Sequence, residues 1–164
     1  MFVPFNSLPG SARVWIYQSD RVITFEEEKI LSDRLKAFCQ QWMVHGEPMD
    51  TSFEIRYNRF VILAANDQAS GCSIDSSVRI LKEGGAAITT DFFNRNLVAF
   101  LTGDGVKLIA LSALKNAYAS GEWNESTMTF NNLIDTKASL ETGWLVEAQS
   151  SWLKRYLPHQ PVVR

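Results

Sequence analysis

The stretch Ser52-Phe-Glu-Ile-Arg-Tyr-Asn-Arg-Phe-Val-Ile-Leu-Ala-Ala65 decides the fold class. Its first half, up to Tyr57, alternates apolar and polar residues, which is typical of a strand with one buried and one solvated face. Tyr57-Asn58-Arg59 predicts a tight reversal, because Asn tolerates left-handed backbone. The run from Phe60 to Ala65 is apolar throughout and predicts a more deeply buried strand. The stretch therefore predicts two strands joined as a hairpin.

A helix is predicted upstream of this hairpin. Thr24 is a good N-cap, and Glu27 three residues later completes a capping box. Four apolar residues follow at spacings of four, three and four, which places them in one apolar stripe along the helix. We expect His45 in the last turn and Gly46 as the stop. The stripe consists of Leu31, Leu35, Phe38 and Trp42, and a β-branched, aromatic strand at Arg13–Gln18 precedes the helix.

The second half of the chain continues the alternation of strands and helices. A short helix is predicted through Ile74, Val78 and Leu81, ended by Gly84-Gly85. Because hairpin strands stand beside helices without strict alternation, the pattern favours a single α+β domain over residues 1–164. We expect a mixed or largely antiparallel sheet with helices packed on it. Further strands are predicted at 96–101, 106–110 and 127–130, and further helices at 112–120 and from 150 or 151 onward.

Composition and charge exclude several classes of protein. The 164 residues carry 16 basic and 18 acidic side chains, evenly spread, for a net charge of −2. Without a basic run, nucleic acid is not expected as a partner. The amino end lacks the pattern of a signal peptide, and no apolar run approaches the ~20 residues of a membrane span. Two cysteines make no disulfide framework. We expect a soluble bacterial protein in the cytoplasm, and the sequence leaves a homo-oligomer open.

The densest local chemistry lies in residues 70–79, where a loop leads into the second helix. Unpaired N–H groups at a helix N-terminus attract anions and lower the pKa of a thiol. Cys72, expected just ahead of this terminus, is therefore a candidate catalytic nucleophile, and Ser73, Asp75 and Arg79 are candidate ligand-binding residues. The alternative is structural: Ser73 or Asp75 caps the helix and Cys72 is a packed thiol.

Known catalytic motifs are absent from the sequence. The spacing between Cys72 and Arg79 is one residue longer than in the phosphate-binding loop of cysteine phosphatases, so that motif is not matched. The chain has no phosphate-binding P-loop, no dinucleotide-binding glycine motif and no serine nucleophile elbow. Neither Cys nor His has zinc spacing, so we expect no metal and no cofactor. A dyad of Cys72 with His45 stays open, because such partners need only be neighbours in space.

A second cluster of candidate ligand-binding residues lies at the turn of the hairpin: Arg56, Asn58 and Arg59. Glu54 and Arg56 should point to the same face of their strand, since side chains alternate. They would form a cross-strand ion pair or line a binding face with Arg13 and Gln18. The alternative is a solvated sheet face without a ligand.

Several segments of the chain together carry a resemblance to known proteins: Phe5-Asn-Ser-Leu-Pro9, Arg13-Val-Trp-Ile-Tyr-Gln18, Ser52-Phe-Glu-Ile-Arg-Tyr-Asn-Arg-Phe60, Gly71-Cys-Ser-Ile-Asp75 and Phe130-Asn-Asn-Leu133. They resemble a family of small cytoplasmic proteins of about this length from Bacteroidetes bacteria. Members of that family often carry the label "ABC transporter ATPase". The present sequence has neither the Walker motifs nor the signature sequence of such ATPases, so the resemblance implies a fold and no defined activity.

Three functions are consistent with these observations. The first is a non-enzymatic cytosolic domain that binds a small ligand or a protein. The second is a hydrolase or transferase that uses Cys72 as its nucleophile. The third is a protein associated with an ABC transporter, as the family label suggests.

Overall fold

The computed structural model describes residues 1–44, 46–66 and 71–158, with the side chains of residues 44 and 71–74 excepted. The fold is α+β with antiparallel strand pairing, as predicted. The chain forms two compact units, and the single domain over 1–164 stays a prediction. In chain order the elements are β1 (Arg13–Gln18), α1 (Phe25–Gln41), β2 (Met43–Val44), β3 (Glu47–Pro48), β4 (Thr51–Arg56), β5 (Phe60–Ala65), α2 (Gly71–Ile88), β6 (Leu97–Thr102), β7 (Gly105–Ala110), α3 (Leu114–Ala119), β8 (Met128–Phe130), α4 (Lys137–Gly143) and β9 (Leu145–Glu147).

The first unit comprises Met1–Asn94 and Asn132–Trp144 and is built on the sheet β1-β5-β4. The predicted hairpin is present, with Tyr57 and Asn58 at φ of 56° and 53° in the turn. Two consecutive positive φ angles are what a type I′ hairpin turn requires. The register places Gln18, Phe60 and Arg56 side by side. Because side chains alternate along a strand, the two faces of this sheet carry different sets of residues.

One face of the sheet packs on α1 and α2. Leu31, Leu35 and Cys39 of α1 are fully buried in a core with Val61 and Leu63 of β5. The predicted capping box at the start of α1 is present, with both reciprocal hydrogen bonds. Of the predicted stripe, Leu31, Leu35 and Trp42 are buried in this core and Phe38 is partly buried against it. Cys39 is a buried thiol beside them.

The end of α1 differs from the prediction. The helix ends at Gln41, and Trp42 already has extended backbone, with φ of −71° and ψ of 119°. Gly46, expected to stop the helix, instead has a φ of 79° in the turn between β2 and β3. A short hairpin therefore replaces the last predicted turn, and His45 lies outside the described residues.

The second helix passes through the two glycines expected to end it. A Cβ at Gly84 would lie 2.8 Å from Leu31 Cδ1, and one at Gly85 would lie 2.6 Å from the Thr90 carbonyl oxygen. Gly84 therefore allows α2 to approach α1, while Gly85 allows the chain to fold back over the helix end. Thr90 N–H donates to Gly85 O and Thr89 N–H to Ala86 O, with Thr89 at a φ of 57°. These bonds form a Schellman motif, and its left-handed position holds a β-branched residue where glycine is usual.

The other face of the same sheet is covered by a short 3-10 helix and by α4. Phe5, in the 3-10 helix Phe5–Ser7, is buried, as are Leu140 and Trp144 at α4 and its end. Trp144 contacts Phe60 at 5.1 Å between ring centroids. Lys137 Nζ of α4 donates to the carbonyl oxygens of Asn6 and Leu8, which ties α4 to the amino-terminal segment.

Arg21 joins the start of α1 to the end of α2. Its guanidinium donates to both carboxylate oxygens of Glu27 and also to the carbonyl oxygens of Ile88 and Thr89. The hydrogen bond from Arg21 lowers the pKa of Glu27 to about 2, with a further contribution from the Thr24 N–H. The Arg21 guanidinium thus caps the carboxyl end of α2 and neutralises a carboxylate in the first turn of α1.

We expect the interaction of Arg21 with Glu27 to make the free energy of unfolding depend on pH. Because the pKa of Glu27 is depressed in the folded state, its contribution is complete above a pH of about 4.5 and is lost as the pH falls toward about 2. Arg21→Met should flatten the decline of unfolding free energy in that window, measured by urea unfolding across pH. Lys107→Met, which removes the exposed pair with Glu122, is the control and should leave the curve nearly parallel to that of the parent protein. A parent-like slope in Arg21→Met would contradict the assignment.

Ser52 carries a buried hydroxyl that has no hydrogen-bond partner in the described part of the chain. It lies beside Ala64, itself beside Val14, on the sheet face that α4 covers. Since an unmet buried hydroxyl destabilises, we expect Ser52→Ala to leave the unfolding free energy unchanged or raise it by about 1 kcal/mol. Ser19→Ala is the matched control and should lower it, because that buried hydroxyl donates to Arg21 O. Urea unfolding measures both, and a clear loss in Ser52→Ala would refute the expectation.

The second unit comprises Arg95–Asn131 and the described residues from Leu145 onward. Its sheet has the order β7-β6-β8-β9. Trp123 lies in the core with Phe100 stacked at 5.3 Å between ring centroids, and its indole N–H donates to Leu114 O at 2.9 Å. The helix predicted from 150 or 151 is a 3-10 helix, Trp152–Tyr156. The sequence prediction missed α4 and β9.

Among the described residues, no helix combines the length and apolarity needed to cross a membrane.

Candidate functional site

The two groups of candidate residues named above belong to opposite sides of the first sheet. Arg56 shares its sheet face with Phe60, whereas Tyr17, on the opposite face, forms a hydrogen bond with Ser77 of α2. Arg56 and α2 therefore lie on opposite sides of the sheet. We predicted that Arg13 and Gln18 line one binding face with Arg56. Gln18 shares the face of Arg56, but the prediction is wrong for Arg13, which lies on the face that packs on the helices.

Arg56 is held by its surroundings inside the first unit. Its Nε donates to Glu54 at 2.7 Å, so this ion pair lies within one strand and not across strands as predicted, and a terminal nitrogen lies 3.4 Å from Glu141. The guanidinium also lies 5.8 Å from the ring centroids of both Phe5 and Trp144. Two carboxylates and two rings surround this half-buried cation, so its described contacts are those of a structural residue.

Asn58 and Arg59 serve the turn and its packing. The Asn58 carbonyl oxygen accepts from Ile23 N–H, and the Arg59 carbonyl oxygen accepts from Ser19 N–H. Partial burial lowers the pKa of Arg59 below the ordinary value of a guanidinium. The backbone of this turn thus anchors the segment that leads into α1.

The candidates on α2 fall at its amino-terminal half. Because the helix begins at Gly71, Cys72 is its second residue and not ahead of it, and Asp75 lies in the second turn, too far along to be the N-cap. Asp75 and Arg79, four residues apart, are both exposed. The side chains of Cys72 and Ser73 lie outside the described residues, so the predicted nucleophile stays a prediction.

The second thiol, Cys39, is unsuited to catalysis. Burial raises its pKa to about 11, although Thr51 lowers it slightly. A thiol with that pKa carries almost no thiolate at neutral pH and is a poor nucleophile. In the described ranges, no three His, Cys, Asp or Glu side chains converge as metal ligands would.

Another cluster lies on the helix side of the sheet, and we call its members Arg13, Trp15, Phe38 and Trp42 the tryptophan cluster. The Trp15 and Trp42 ring centroids are 5.4 Å apart, and those of Phe38 and Trp42 are 4.7 Å apart. The guanidinium carbon of Arg13 lies 5.7 Å from the Trp15 ring centroid. β1, the end of α1 and the segment after it bring these side chains together from three parts of the sequence.

The tryptophan cluster keeps two buried donors unpaired. Neither Trp42 Nε1 nor Arg13 Nε has a hydrogen-bond partner within the described ranges. Buried polar groups are nearly always hydrogen-bonded, so two unpaired donors beside one ring distinguish this cluster. Sequence reasoning placed Trp42 in an apolar stripe and missed this feature, because no pattern in a single chain shows which indole N–H lacks an acceptor.

Comparison with protein-family models, with curated proteins and with solved structures finds no match.

Proposed function

We propose that this chain is a non-enzymatic domain that binds a small ligand through the tryptophan cluster. The observation that carries the proposal is the pair of unpaired buried donors, Trp42 Nε1 and Arg13 Nε, beside the Trp15 ring. Aromatic walls with a few convergent polar groups are the usual lining of small-molecule sites. The protein-binding form of this hypothesis has less support, since no described contact favours it.

The remaining described chemistry supports binding over catalysis. Arg56 is paired with two carboxylates, and Arg21 is paired with Glu27. Cys39 is buried and has a raised pKa. The proposal places the protein in the bacterial cytoplasm, in line with its balanced charge and its resemblance to the Bacteroidetes family.

A thermal-shift panel tests the proposal on the full chain. The probes are sodium acetate, sodium benzoate, benzamide, adenosine and inorganic phosphate at constant ionic strength. Because a ligand that binds only the folded state stabilises it by mass action, we expect at least one organic probe to raise Tm in a saturable way. The shift should shrink in Trp42→Phe and persist in the matched variant Trp123→Phe. No saturable shift, or equal shifts in both variants, would refute binding at the tryptophan cluster.

The cysteine-dependent hydrolase or transferase is the second candidate, and one observation favours it. Cys72 stands in the first turn of an 18-residue helix, where unpaired N–H groups favour a thiolate. Alkylation by iodoacetamide across pH, followed by peptide mass spectrometry, gives the pKa of each thiol. A Cys72 pKa well below the ordinary ~8.5 would support the enzyme. An ordinary pKa, or a Cys72 as unreactive as Cys39 in the same sample, would eliminate it.

Association with an ABC transporter is the third hypothesis and predicts ATP binding if the label denotes an ATPase. Without the phosphate-binding loop, we expect no change of Tm at millimolar ATP with magnesium. A saturable shift in Tm would restore the ATPase form of this hypothesis.

A further inference from the structure

The tryptophan cluster differs from the other tryptophan sites of the protein in one respect. The indole N–H groups of Trp123 and Trp144 each donate at 2.9 Å, to Leu114 O and Asn132 Oδ1. Trp42 is equally buried, at 3 % exposure, and its N–H has no acceptor in the described part of the chain. The fold therefore supplies acceptors for two buried indoles and leaves the third without one.

Arg13 adds a positive charge at the same place. No described carboxylate lies within ion-pair distance of it, in contrast with Arg21 and Arg56. Its Nε is buried and unpaired, and its guanidinium packs on the Trp15 ring that Trp42 also contacts. Arg13 and Trp42 thus each contact the Trp15 ring, and no described side chain neutralises the charge of Arg13.

We propose that the tryptophan cluster recognises a carboxylate carried on a flat apolar body, an inference that rests on the proposed binding function. A carboxylate offers two acceptor oxygens and neutralises one guanidinium. It therefore matches the two unpaired donors and the unneutralised charge of Arg13. A doubly charged phosphate would lose more hydration energy among three aromatic rings than a single charge does. The rings of Trp15, Trp42 and Phe38 suit a planar apolar body, which packs on them by stacking or edge contacts.

The indole N–H of Trp42 is itself the reporter for the test. In a ¹H–¹⁵N spectrum of the labelled full chain, the Nε1–H signal lost in Trp42→Phe identifies Trp42, and Trp123→Phe and Trp144→Phe identify two matched controls. Sodium benzoate is the probe, and benzamide is its neutral counterpart. We expect benzoate to move the Trp42 signal downfield in a saturable way, while the Trp123 and Trp144 signals stay in place because their hydrogen bonds are already formed.

Substitution of Arg13 tests the charge. Arg13→Met keeps much of the aliphatic stem and should weaken benzoate binding about tenfold, the loss typical of one charge-assisted hydrogen bond. Arg13→Lys keeps the charge without the planar fork and should fall between Arg13→Met and the parent protein. The indole spectrum of each variant reports whether it is folded, and either variant alone suffices for the comparison.

Three results would overturn the inference. The first is a Trp42 signal that benzoate does not move, including one already at a hydrogen-bonded position because of a buried water. The second is an equal response to benzamide, and the third is unchanged affinity in the Arg13 variants. If adenosine or benzamide binds at Trp42 while carboxylates do not, the proposed binding function survives and the carboxylate assignment fails. If no organic probe binds, both fail.

Discussion

Trp144→Ala is expected to lower the free energy of unfolding by about 3–5 kcal/mol, the range for removing a buried aromatic side chain. Trp144 contacts Phe60 and Tyr57 through its ring and lies under the Arg56 guanidinium. Its loss would leave a cavity between α4 and the sheet and would also leave Asn132 Oδ1 without its indole donor.

Urea unfolding followed by circular dichroism measures this effect. Trp152→Ala is the control, because that ring is half exposed, and it should change the unfolding free energy by about 0.5 kcal/mol or less. A loss of only about 0.5 kcal/mol in Trp144→Ala as well would show that the cover over this face of the sheet contributes little to stability.

Gly85→Ala is expected to be the most damaging change on α2 for its size. An added Cβ would lie 2.6 Å from the Thr90 carbonyl oxygen, which belongs to the backbone of the Schellman turn and cannot rotate away. Overpacking of this kind costs about 1–3 kcal/mol. The Thr90 N–H bond to Gly85 O would be strained at the same time, and with it the left-handed residue Thr89.

Gly84→Ala, one position earlier, is the matched control. Its Cβ would meet Leu31 Cδ1 at 2.8 Å, the end of a side chain that can shift. Alanine also gains about 1 kcal/mol in helix propensity, which offsets much of the contact. We therefore expect Gly85→Ala to melt well below Gly84→Ala in thermal unfolding. The opposite order would mean that the turn at Thr90 moves more easily than the α1–α2 contact.

Local signals in the sequence predicted much of the first sheet and the start of α1. The limits of β1 and β5 are as predicted, because Arg13–Gln18 and Phe60–Ala65 are β-rich runs bounded by turn residues. The capping box at Thr24 could be predicted from the sequence because both of its partners lie within four residues. Each of these features depends on neighbours in the sequence.

The errors arose where distant residues decide the backbone. Gly84-Gly85 carries the local signal of a helix end, yet α2 needs both glycines for contacts with Leu31 and Thr90. The sequence also could not place the two candidate clusters relative to each other, since strand register alone decides that Arg56 faces away from α2. The unpaired Trp42 N–H was beyond prediction because it depends on acceptors that the tertiary fold does not provide.

The interrupted path of the chain through the first unit has a consequence for its synthesis. Residues 1–94 supply the sheet and its two long helices, but the chain returns to this unit only at Asn132–Trp144. Until Trp144 has left the ribosome, Phe60 lacks the ring that covers it in the finished fold. A nascent chain stalled after residue 94 should therefore expose an apolar surface to which chaperones bind, and a fragment cut at that point should aggregate more readily than the full chain.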